Sequence, residues 1–183
     1  RASSRRTAAR RCAKEIMTSI AATGRPLTLA TTTESVTLDI SRTAVLVVDM
    51  QNDFGASGGM FDRAGIDISA VRDAIAPTSR ALDAARRAGV AIVYVKMGYR
   101  DDLSDLGPVG SPNRERHLNA FSVGAPVAAP DGRASRVLIR DTWNTDVLDE
   151  IAPHPADLVV YKTRFSAFHE TELDATLRRR GVN

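Results

Sequence analysis

From Ile40 onward the chain alternates short, continuous apolar runs with longer amphipathic stretches. Thr43 to Val48 (TAVLVV), Ala91 to Val95 (AIVYV) and Leu158 to Tyr161 (LVVY) are rich in β-branched residues and unbroken by polar ones. That is the pattern of strands buried on both faces of a parallel sheet. Asp67 to Ala88, between the first two runs, carries Ile75, Leu82 and Ala85 on one helical face, with Gly89 placed as a C-terminal cap. Pro77 either kinks this helix or opens its straight part. A shorter helix is predicted over about Thr145 to Ile151, and another from Glu172 to Arg180. The latter has Thr171 and Asp174 at capping-box spacing, Arg178 to Arg180 in its last turn and Gly181 behind it. Right-handed crossovers then set three strands parallel with helices on both sides, an α/β architecture. The stretch from Gly98 to Asp141, punctuated by Gly107, Pro108, Gly110, Pro112 and Pro130, reads as a functional flap with a short helix near Asn113 to Phe121.

Composition narrows the picture. With 183 residues and 43% apolar content the chain supports one hydrophobic core. No stretch approaches the roughly 20 apolar residues of a membrane-spanning helix. A single cysteine, Cys12, excludes an internal disulfide framework and a cysteine-based zinc site, which fits a reducing, cytoplasmic setting. Charge is divided unevenly. Residues 1–38 hold seven basic and two acidic side chains, whereas residues 39–183 are net acidic by two. Two regions follow: a basic extension over 1–38 and a folded domain over 39–183. The extension reads as disordered or artefactual, as an organelle-targeting leader, or as a nucleic-acid tail; no aromatic residue interleaves with its arginines, which counts against the last. Cys12 lies within it and reads as incidental.

Chemistry concentrates where the apolar runs end. Asp49, Lys96 and Lys162 follow the three runs, and parallel strands deliver their ends to one edge of the sheet, where open α/β sheets bind ligands. Each charge alone is as readily a solvated loop residue. Asp49 stands in DMQNDF, where Gln51 and Asn52 can hydrogen-bond the chain and Phe54 can wall a pocket; Lys162 stands in YKTRFSAF with Arg164, Ser166 and Phe168. His117, His154 and His169 lack metal-site spacing and read as solvated or helix-end residues, so no metal and no cofactor is expected.

VVDMQNDF and KTRFSAFHETELDATLRRRGV together resemble the isochorismatase-like cysteine hydrolase superfamily over about residue 40 to the last residue. GGMFDRAGIDIS, MGYRDD, GPVGSPN and TWNTDVLDEIAPHPADLVVYKTRFSAF are similar to the subgroup of ureidoacrylate amidohydrolases of pyrimidine degradation. The resemblance implies a three-layer α/β/α sandwich around a six-stranded parallel sheet, of which this chain would hold the N-terminal half. It places the catalytic Asp at Asp49 and the catalytic Lys at Lys162. The family's third member, a cysteine in a segment of the form TGxxTNVCVEST, follows the next strand, and Cys12 matches no such motif. A chain truncated before the catalytic cysteine is therefore expected, with the free edge of its first strand apolar and prone to association.

The mechanism so implied is hydrolysis of a ureido C–N bond, with Asp49 as the base that takes the thiol proton and Lys162 as the cation that favours the thiolate. For the substrate, Asn52, Tyr99 and Trp143 are candidate binding residues and Arg100 a candidate carboxylate clamp. The partner is then a small ureido acid, not a nucleic acid or a membrane, and the full-length protein is expected to be a homo-oligomer. Nicotinamidase relatives carry an acidic residue and two histidines soon after the second strand, where this chain reads KMGYRDDLSD. Alternatives kept open are another hydrolase of the superfamily, acting on isochorismate or an N-carbamoyl amino acid, and a non-catalytic domain.

Overall fold

A computed structural model of the protein describes residues 24–182. The elements in chain order are β1 (Pro26–Ala30), β2 (Ser35–Asp39), a 3-10 turn (Ile40–Arg42), β3 (Ala44–Val48), α1 (Asn52–Gly55), α2 (Met60–Arg63), α3 (Ser69–Ala88) and β4 (Ala91–Met97). After these come α4 (Pro112–Phe121), β5 (Pro126–Ala128), β6 (Ala134–Arg136), 3-10 turns at Trp143–Thr145 and Asp149–Ile151, β7 (Leu158–Lys162) and α5 (Leu173–Arg179).

The three apolar runs form one parallel sheet in the order β3-β4-β7. Its register sets Val48 beside Val95 and Met97 beside Lys162. Side chains alternate across the pleat. Ile92 and Tyr94 join Val47 and α3 residues Ile75, Leu82 and Ala85 on one face, while Val93 and Val95 pack with Leu173 of α5 on the other. Helix, sheet and helix thus form three layers, as expected. Burying Leu82, which is 1% exposed, contributes about 1.5–3 kcal/mol relative to leaving it in water. Helix α3 runs through Pro77, whose missing N–H leaves the carbonyl of Asp73 without its helical donor. Gly89 closes it in the left-handed region at φ +71°, its N–H reaching the carbonyls of Ala85 and Arg86. A third apolar cluster, including Met60, Tyr99, Leu106 and Leu138, sits beyond the C-terminal ends of the strands.

Several expectations change. Residues 145–151 do not form a continuous helix; only Asp149–Ile151 makes a single 3-10 turn. The backbone of this segment pairs across the chain instead, Leu148 N–H donating to Met50 O at 3.1 Å and Asp146 O accepting from Asn52 N–H at 2.9 Å. Groups committed to Met50 and Asn52 cannot close helical turns. The capping box before α5 is not made either. Thr171 Oγ1 accepts from Leu173 N–H at 3.2 Å, but Asp174 turns along the helix to Arg178 at 2.9 Å. Within the flap, α4 begins at Ser111, which caps it by accepting from Arg114 N–H at 3.3 Å, and the antiparallel pair β5–β6 was not foreseen.

The C-terminal part of the basic extension is also structured. Strands β1 and β2 pair antiparallel with Leu27 opposite Leu38 and Thr28 opposite Thr37. Asp39 ties the hairpin down by accepting from Arg25 N–H at 3.1 Å and Ser41 N–H at 3.0 Å. The remainder of the extension, Cys12 included, lies outside the described residues. Among those residues β3 pairs on one side only, and its Leu46 and Val48 are exposed.

Candidate active site

Asp49 directly follows β3. Its N–H still pairs with Val95 O at 2.9 Å, and its backbone then turns left-handed at φ +59°, a region Asp tolerates better than most residues. The turn ends the strand alternation that would have aimed Asp49 to the same side as Val47. Lys162 is the last residue of β7, two strands away. Its Nζ lies 2.9 Å from Asp49 Oδ2, with the lysine side chain 3% exposed and the aspartate 33%. The other carboxylate oxygen, Oδ1, is buried without a hydrogen-bond partner among the described residues. One oxygen is therefore held by the ammonium and the other retains its full acceptor capacity.

The residues after Asp49 hold this corner in place. Gln51 is fully buried, and its amide extends the sheet like a short strand: Nε2 donates to Met97 O at 2.9 Å and Oε1 accepts from Met97 N–H at 2.8 Å. Asn52 is buried with its Nδ2 donating to Trp143 O at 2.8 Å. Asp53, which sequence reasoning overlooked, is fully buried. It accepts from Met60 N–H at 2.9 Å, from Leu138 N–H at 2.7 Å and from Asn144 Nδ2, whose own oxygen accepts from Ser135. Burial pushes its carboxyl up to about 6 against the opposing pull of those donors. The four polar residues of DMQND thus divide into one charge at the cavity and three ties between the flap, the turn at Trp143 and the sheet.

Asp49 and Lys162 border a cavity of about 450 Å³ at the C-terminal ends of the strands. Its walls are largely apolar, with Phe54, Phe61, Met97 and Phe165 among them, and α4 contributes Arg116 and His117. His117 is not the solvated histidine expected from sequence. It is 4% exposed, its Nδ1 is 2.6 Å from Asn113 O, and its ring meets Tyr99 and Phe121 edge to face. A carbonyl only accepts, so Nδ1 carries the proton, while burial lowers the pKa of the ring and favours its neutral form. The spacing of His117 and Phe121, four apart on one helical face, was the available signal.

The sequence-derived binding candidates are dispersed. Tyr99 is fully buried behind His117, its hydroxyl donating to Thr163 O at 3.2 Å, and burial pushes its pKa up to about 12. Asn52 and Trp143 hold each other, and neither they nor Tyr99 lines the cavity. Arg100 borders a separate cleft with Asp105, Arg140 and Glu170. Lys96 departs from the expected edge because β4 continues to Met97: the pleat turns Lys96 to the opposite face, where its ammonium stands 4.7 Å above the Tyr161 ring. In the YKTRFSAF segment the aromatic ring that joins Lys162 at the cavity is Phe165, not Phe168. Among the described residues no group of three His, Cys, Asp or Glu side chains is placed to hold a metal ion, and no helix is long and apolar enough to cross a membrane.

The isochorismatase domain matches residues 43–183. The chain belongs to the isochorismatase family. Within it, the chain is 41% identical over 156 residues to the ureidoacrylate amidohydrolase RutB of Agrobacterium fabrum, covering 85% of this chain and 67% of that protein. It is 40% identical to the RutB protein of Rhizobium rhizogenes, covering 85% and 62%. The isochorismatase-family chain thus spans about two thirds of the length of the curated relatives it matches. Among solved structures, a cysteine hydrolase from Pseudomonas syringae pv. phaseolicola superposes with a TM-score of 0.59 at 30% identity, over 79% of this chain and 57% of that one. An isochorismatase family protein from Desulfovibrio vulgaris superposes with a TM-score of 0.53 at 28% identity, over 77% and 63%.

Proposed function

We propose that this chain supplies the acid–base half of an amidohydrolase that cleaves the ureido C–N bond of ureidoacrylate or a similar linear ureido acid. The observation that carries the reading is the 2.9 Å contact of Asp49 with Lys162 at the cavity, with Asp49 Oδ1 left without a partner among the described residues. Similarity to proteins named ureidoacrylate amidohydrolase, at 41% and 40% identity, supports the substrate class.

The chemistry follows from charge. In the family resemblance the nucleophile is a cysteine, and residues 43–183 contain none, so in this reading a thiol reaches the cavity from outside them. An ordinary thiol, with a pKa near 8.5, is mostly protonated at neutral pH. Asp49 accepts its proton and Lys162 holds the resulting thiolate by Coulomb attraction. The thiolate adds to the ureido carbonyl; the C–N bond breaks as Asp49 returns the proton to the leaving amine. Water, deprotonated by the same carboxylate, then releases the carbamoyl group and restores the thiol. On this reading the protein works in the cytoplasm, its partner is a small molecule, and copies of it associate.

The test is a substrate panel on the full-length gene product: ureidoacrylate, N-carbamoyl amino acids, isochorismate and nicotinamide, followed by carbamate or ammonia release and, for isochorismate, pyruvate release. Ureidoacrylate is expected to give the highest kcat/KM. Turnover of isochorismate or an N-carbamoyl amino acid with none of ureidoacrylate assigns another superfamily activity, and no turnover of any of them removes the enzymatic reading.

A further inference from the structure

The cavity walls carry four ionisable side chains, and their charges do not cancel. Asp49 and Lys162 neutralise one another at 2.9 Å. His117 is tied through Nδ1 to Asn113 O and is held in its neutral form. That leaves Arg116, the residue beside it on α4. Among the described residues no carboxylate lies within ion-pair distance of Arg116, which is exposed and set over the Phe121 ring at 5.7 Å. The cavity accordingly has one uncompensated positive charge, and an aromatic face restrains where it stands.

The arginine first suggested by the sequence has a different setting. Arg100 borders the cleft that also contains Asp105, Glu170 and Glu172, where three carboxyl groups compete with any anion. An anionic substrate entering the Asp49–Lys162 cavity meets Arg116 and not Arg100. A planar guanidinium matches a carboxylate through two parallel hydrogen bonds, which fixes orientation as well as adding attraction.

We propose that Arg116 is the specificity-determining residue that pairs with the carboxylate of the substrate, so that the cavity selects ureido compounds bearing an acid over neutral ones. This rests on the ureido-acid reading above, and its test is separable from it because it reads binding rather than turnover. The experiment titrates the full-length gene product calorimetrically with 3-ureidopropionate, a saturated ureido acid, and with its methyl ester. The unmodified protein is expected to bind the acid at least tenfold more tightly than the ester, a preference that weakens as salt is raised. Arg116→Met removes the preference, Arg116→Lys retains part of it, and Arg100→Met leaves it intact. Circular dichroism of each variant reports whether the fold is kept. Equal affinity for acid and ester in the unmodified protein overturns the proposal. So does a preference that survives Arg116→Met or disappears in Arg100→Met. Acid-selective binding that is lost in Arg116→Met but kept in Arg100→Met, without hydrolysis of any ureido acid, sustains Arg116 as the clamp while removing the catalytic reading.

Discussion

Asp49 and Lys162 sit at the ends of strands that are not neighbours, yet their side chains meet at 2.9 Å across the end of β4. The pair is asymmetric: the ammonium is 3% exposed and the carboxylate 33%. Removing either partner leaves the other unpaired, and the cost depends on how far the survivor is from water. Asp49→Ala, which strands a buried ammonium, is expected to cost about 3 kcal/mol, and Lys162→Met, which leaves a carboxylate whose side chain is partly exposed although its Oδ1 is buried, less than that. Urea denaturation of the two variants measures the difference; equal losses would show that the lysine is solvated.

Gln51 serves the same corner without touching the cavity. Its amide satisfies both the N–H and the carbonyl of Met97, the residue paired with Lys162. Gln51→Leu leaves two buried backbone groups without partners and is expected to destabilise by about 2–4 kcal/mol. Hydrogen exchange at the Met97 amide should rise in the variant well before global unfolding. Unchanged protection there would separate the side chain from the sheet.

Asp53 predicts a pH dependence of stability. Its carboxyl lies at about 6 in the folded chain against an ordinary 3.8, so between those values the native state holds more proton than the unfolded state. The sign follows: this group's contribution is fully present below pH 3.8 and is lost as pH rises to about 6. Asp53→Asn abolishes that downward trend while lowering stability at all pH values, because an amide N–H₂ then faces a backbone N–H donor. Chemical denaturation at half-unit pH intervals tests it, and a variant curve parallel to that of the parent removes Asp53 as the source.

Among the described residues β3 is unpaired on the side away from β4, and its Leu46 and Val48 are exposed. A polypeptide of residues 1–183 is expected to self-associate through this strand, and Leu46→Lys with Val48→Lys to shift it toward monomer in sedimentation velocity. A monomeric parent at high concentration would contradict this.

The central strands were legible because β-branched apolar runs have few other uses, and parallel strands oblige their ends to share an edge. That reasoning brought Asp49 and Lys162 to one edge but misjudged Lys96, since β4 continues two residues past Val95 and its pleat turns Lys96 to the other face. Residues 145–151 looked helical because local pattern carries no record of Met50 and Asn52, which take their backbone hydrogen bonds. The β1–β2 hairpin was concealed by its basic, threonine-rich surroundings, although LTL and VTL alternate with the period of a strand. Arg116 and His117 came from the flap, whose approach to the cavity depends on long-range ties such as Leu138 N–H to Asp53. Such ties leave no periodicity to read.

The most direct measurement is ureidoacrylate hydrolysis by the full-length gene product compared with its Asp49→Asn variant, with folding of both verified. With Asp49 as the base, kcat/KM is expected to fall by about 10²–10⁴-fold, the range a positioned proton acceptor provides. Hydrolysis by the variant at the parent's rate would contradict the account.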